Sequence, residues 1–118
     1  MSWNESEILK ARQAILDTAQ DMLAGGLTYI EGARKIVAIW WRSKLDERDA
    51  DFLPFVGIHS ETDALPFGKM RAHWQPAALD ALQPEIDRME AWARRFGEPH
   101  CRNLVARFSS GQIKIEKF

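Results

Sequence analysis

The densest reactive chemistry in this chain is the run His59-Ser60-Glu61-Thr62-Asp63. A neutral imidazole with two carboxylates suits a divalent metal, and paired carboxylates suit general acid–base work. Residues 51–68 hold three acidic side chains and no lysine or arginine, so the segment carries no counter-charge of its own. Its spacing lacks the alternating oxygens and closing glutamate of a calcium loop. The same residue types commonly bond local backbone in turns. On that reading the segment is a structural hub in which His59, Glu61 and Asp63 gather with Arg34 and Arg71. Glu61 then pairs with one of the two arginines, and Asp63 accepts from backbone near Leu65. This reading expects no catalytic residue, metal or cofactor. The alternative is a small metal-dependent enzyme using His59, Glu61 and Asp63.

His100 and Cys101 are adjacent, so on a helix their side chains diverge by about 100° and form no nucleophile–base pair. Cys101 shares its spacing with Leu104, Val105 and Phe108 and reads as a core residue. A single cysteine excludes an internal disulfide and a multi-cysteine zinc site. No glycine-rich phosphate loop, nucleophile elbow or paired-histidine helix motif occurs.

Five tryptophans are many for 118 residues. Trp40 and Trp41 are neighbours on an expected helix, so only one can face the core. Tryptophan is enriched in binding hot spots because it buries a large area and still donates a hydrogen bond. With Asp46, Glu47, Asp49 and Asp51, these two residues make a candidate partner-binding surface suited to a basic protein. Residues 69–118 hold nine basic and six acidic side chains. Arg94, Arg95, Arg102 and Arg107 would line the last helices. A face that pairs internally with the acidic 46–63 segment explains them better than nucleic-acid contact, as does a net charge of -1.

The elements that must position these groups are mostly helical. Ile8, Ala11, Ile15, Ala19 and Met22 recur at helical spacing over residues 5–24, with Asn4 as cap and Gly25-Gly26 as stop. Thr28 to Glu31 reads as a capping box for a second helix reaching about Lys44. The short link between the two predicts an antiparallel hairpin. Gly32, inside that helix, fits a close crossing. Residues 52–59 fit a short helix capped by Asp51 or, as the alternative, a short strand, and residues 60–68 a loop. Pro76, Pro84 and Pro99 each suit a helix start, predicting helices over 76–82 and 84–96 and one opening at Pro99, with Gly97 ending the second. Ile113 and Ile115 alternate with polar residues, as in a strand over 112–118.

The sum is an all-α single domain over residues 1–118, a bundle of five or six helices with a short C-terminal strand. Apolar residues make up 46% and charged residues 28% of the chain, which is globular composition. No secretory leader or membrane span is evident, so the expected location is cytoplasmic.

Phe52, Pro54, Phe55, Val56, Ile58, the run Ser60-Glu61-Thr62-Asp63, Leu65, Pro66 and Gly68, followed by Arg71 and Trp74, resemble a stretch shared by small bacterial helical proteins of uncharacterised activity. Glu31, Gly32 and Arg34 extend the likeness, which implies no activity. In size and helical texture the chain is also similar to toxin immunity proteins. The expected function is therefore a protein-binding module, with a basic toxin domain as partner in the immunity reading. A homo-oligomeric structural or regulatory protein is a further alternative.

Overall fold

Gly25 ends the first helix as its sequence predicts. It takes φ +83°, which glycine adopts without strain, and the Gly26 N–H closes on the Asp21 carbonyl at 2.9 Å. The computed structural model describes residues 2–115. Helix α1 spans Ser2–Ala24, α2 Tyr29–Trp40, α3 Leu53–Thr62 and α4 Pro76–Ser109, and a 3-10 turn covers Gly68–His73. The molecule is all-helical, with no strand among the described residues, and measures 52 × 27 × 24 Å. No helix is long and apolar enough to cross a membrane among the described residues.

Helices α1 and α2 form the expected antiparallel hairpin. Met22, near the end of α1, lies against Gly32 in the first half of α2, while Arg12 reaches the Ser43 carbonyl beyond the end of α2 at 2.9 Å. A Cβ on Gly32 would fall 2.3 Å from the Met22 sulfur, so the glycine permits the crossing. Ile15, Ala19 and Met22 of α1 meet Ile30, Ala33, Ile36 and Trp40 of α2 in the core. Phe55 and Ile58 of α3 and Ala93, Cys101 and Leu104 of α4 close it. Cys101 is fully buried, as its spacing predicts.

Among the described residues four α-helices replace the five or six expected, because the three expected C-terminal helices are one. Helix α4 runs through both Pro84 and Pro99, and Gly97 does not stop it. The buried positions Ala93, Gly97, Cys101, Leu104 and Phe108 continue the helical spacing across Pro99. Both prolines sit on the exposed face, where water can satisfy the carbonyl freed by each missing N–H. The core contact on the opposite face then outweighs the local cost of about 3 kcal/mol. Gly97 serves packing instead: a Cβ there would lie 3.2 Å from both Ile58 and Tyr29.

Three further boundaries differ. Helix α1 begins before Asn4, which is helical rather than a cap. Helix α2 ends at Trp40 because the Ser43 hydroxyl donates to the Trp40 carbonyl and accepts from the Leu45 N–H. The expected C-terminal strand is absent over its described residues. Instead Ile113 is buried, its N–H donates to the Arg107 carbonyl, and the Lys114 carbonyl accepts from Arg12. These bonds tie the tail to α4 and α1, which leaves no strand partner. Residues 116–118 lie outside the described residues.

Candidate functional site

The His59–Asp63 run is not the loop that its composition suggests. Helix α3 continues to Thr62, with Asp63 as its C-cap. Residues two apart on a helix point about 160° away from each other, so Glu61 faces away from His59 and Asp63. Among the described residues no three His, Cys, Asp or Glu side chains converge so as to hold a metal ion.

Glu61 is exposed and meets neither Arg34 nor Arg71 among the described residues. Arg34 reaches past it and donates to the carbonyls of Thr62 and Leu65, the latter at 3.1 Å, with its guanidinium 5.1 Å from the centre of the Phe67 ring. A cation at the carbonyl end of α3 complements the helix dipole and satisfies orphan carbonyls. Asp63 does not cap Leu65, whose N–H goes to the Thr62 carbonyl at 3.0 Å. Arg71 lines a separate hollow of about 320 Å³ with Thr28, Glu31, Phe67 and Glu90 among its walls. The five hub residues therefore do not form one cluster.

The charge cluster that does form was drawn from the expected partner surface. Asp49 and Asp51 turn inward, toward α4. The Arg107 guanidinium makes two bonds to Asp49, both 2.8 Å, and one to Asp51 at 3.0 Å. Asp51 also accepts from Asn103 at 3.0 Å and lies 2.9 Å from His100 Nδ1. A carboxylate offers that nitrogen only acceptors, so His100 carries its proton on Nδ1. The two carboxylates retain only 10% and 12% of their side-chain exposure. Burial pushes both acids up, but for Asp49 the Arg107 bonds outweigh it, and for Asp51 those from His100, Asn103 and Arg107 do. Both are held below the usual carboxylate range. Asp51 is thus a tie to α4 rather than the cap of α3, whose N-cap is Phe52 with no side-chain cap bond. The internal pairing expected between the basic C-terminal half and the acidic segment is realised at Arg107.

Helix α2 is positioned by a bond that the sequence did not reveal. The capping box supplies one half: Thr28 Oγ accepts from the Glu31 N–H at 3.1 Å. The other exposed donors of the first turn, Tyr29 and Ile30 N–H, go to the Glu90 carboxylate of α4 at 2.7 and 3.1 Å. A carboxylate there also meets the positive end of the helix. Nothing local to either segment signals a contact across 61 residues.

The tryptophan pair divides as expected. Trp40 is buried, stacked on Phe52 at 4.4 Å, and donates Nε1–H to the Asp46 carbonyl at 3.0 Å. Trp41 is 66% exposed, with the Arg42 guanidinium 4.9 Å from its ring. It stands between two hollows. One, of about 300 Å³, is lined by Asn4, Glu7, Ile8, Arg42 and Lys44; the other, of about 250 Å³, by Val37, Glu47 and the Trp40–Phe52 stack. Asp46 and Glu47 are exposed, with Glu47 on the wall of the second hollow. Of the six expected partner-binding residues, Trp41, Asp46 and Glu47 stay at the surface, while Trp40, Asp49 and Asp51 are committed to the interior.

No family model, curated protein or solved structure matches this chain.

Proposed function

We propose that the chain works by binding another protein, with Trp41 as the anchor of the contact. The observation that supports this is the exposed Trp41 ring between two concave surfaces. A large aromatic presented on fixed structure is the usual centre of a binding hot spot, and the flanking hollows can receive side chains from a partner. The Trp40–Phe52 stack fixes the second hollow before binding, so little ordering cost remains. Glu47 on the second hollow favours a basic partner through steering and complementarity, while Arg42 and Lys44 on the first hollow offset part of that charge. The particular form we propose is neutralisation of a basic toxin domain, as immunity proteins do. The acidic contribution is smaller than the composition suggests, because Asp49 and Asp51 are neutralised internally by Arg107.

The test is calorimetric titration of the purified chain with the product of the adjacent gene, for wild type and Trp41→Ala. We expect a complex with wild type and an affinity loss of about tenfold or more for the variant, with unchanged helicity. Equal binding by the variant would remove Trp41 from the account.

A further inference from the structure

A second apolar band lies open along the seam between α3 and α4. Leu53 and Val56 of α3 are exposed, as is Phe96 of α4. Gly57 lies between them: a Cβ there would come 3.7 Å from the Phe96 ring, so its absence leaves a groove between two apolar ridges. Trp92 stacks on Phe96 at 5.6 Å and steadies that ring.

The outer edges of the two ridges carry opposite charge. Asp63 falls two helical turns beyond Val56 on the same side of α3 and is exposed. Arg95 flanks Phe96 on the outer side of α4 and is also exposed. Neither makes an ion pair among the described residues.

We propose that this seam is a self-association surface and that its occupant is a second copy of this chain. The argument is charge complementarity under symmetry. A two-fold axis running along the groove sets the α3 ridge of one protomer on the α4 ridge of its partner. Each Val56 then meets a Phe96, and the acidic edge meets the basic edge twice. Helices α3 and α4 run antiparallel, since Gly57 lies by Phe96 while Asp51 lies by His100. Asp63 and Arg95 are therefore displaced from the Gly57–Phe96 contact in the same direction. Their axial offset is about 7.5 Å, which the long arginine side chain can span. The arrangement is independent of Trp41, so either surface can fail its test without the other.

The experiment is sedimentation equilibrium of the full chain over a wide concentration range. We expect a concentration-dependent dimer, weakened about tenfold or more by Phe96→Asp. Asp63→Arg and Arg95→Glu should each weaken it, and the double variant should restore it, because the exchanged charges again face each other. Circular dichroism of each variant checks the fold; the two charge reversals lie on exposed positions and keep the test valid if Phe96→Asp does not fold. A monomer at every concentration would overturn the proposal. So would a dimer indifferent to Phe96→Asp and to both reversals, or a double variant no better than the single ones.

Discussion

Replacing Arg107 with alanine removes the cation that holds Asp49 and Asp51 inside the fold. The guanidinium supplies three bonds, two to Asp49 and one to Asp51. Asp51 keeps Asn103 and His100, and Asp49 keeps the Asp51 N–H at 2.8 Å. Breaking a buried pair from one side costs about 3–5 kcal/mol. The surviving bonds place this case at the lower end, about 3 kcal/mol, or roughly 10 °C in melting temperature for a domain this size. The pH dependence gives the sharper check. In wild type both carboxyls are held below their ordinary value. Their contribution is therefore fully present above the unfolded pKa of about 4 and is lost as pH falls through the lower folded values. In the variant, burial without the cation raises both folded values, so protonation relieves the fold as pH falls. The deficit relative to wild type should be largest at neutral pH and shrink below about pH 4. Urea melts of both proteins at neutral and acid pH measure it. A deficit under about 1 kcal/mol, or one that does not change with pH, would refute the view that this cluster is a buried electrostatic tie.

Three other outcomes follow from the same structure. Gly32→Ala should destabilise by about 1 kcal/mol net, since the clash with the Met22 thioether costs about 1–3 kcal/mol and helix propensity returns about 1; urea denaturation of this variant and of its combination with Met22→Ala measures both terms, the second substitution removing the clash. Glu90→Ala should cost about 1–2 kcal/mol, because it strips the acceptor from Tyr29 and Ile30, and hydrogen exchange should show those two amides losing protection before the middle of α2. Burial pushes the Cys101 thiol up to about 12, so a thiol reagent at mildly alkaline pH should leave the native protein unlabelled and modify it only on unfolding.

Local signals carried the features that depend on neighbours in sequence. Gly25-Gly26 and the Thr28–Glu31 box defined the α1–α2 hairpin, and adjacency alone showed that Trp40 and Trp41 must part. Features set by distant contacts were hidden. Pro84 and Pro99 read as helix starts because a proline's local cost is visible in sequence, whereas the continuous buried face that offsets it appears only once α4 packs on the other helices. Asp51 looked like a cap for α3 and Asp49 like a surface acid, but Arg107 and Asn103 lie more than 50 residues away. Arg34 reaches the end of α3 without meeting Glu61. Its partners are carbonyl groups, and these belong to the backbone of any sequence, so Glu61 drew the assignment instead. Glu90 carried no cue at all: a glutamate on an amphipathic helix reads as solvated until another helix presents its N-terminus to it.

The central claim is that Trp41 anchors a protein contact. The most direct measurement is the affinity of the full chain for the product of the adjacent gene, compared with Trp41→Ala and with Glu47→Lys at several salt concentrations. Loss of about tenfold or more in the first variant, and a slower association with a weaker salt dependence in the second, is the predicted result. Binding unchanged by both substitutions, or no binding by the wild-type chain, would contradict it.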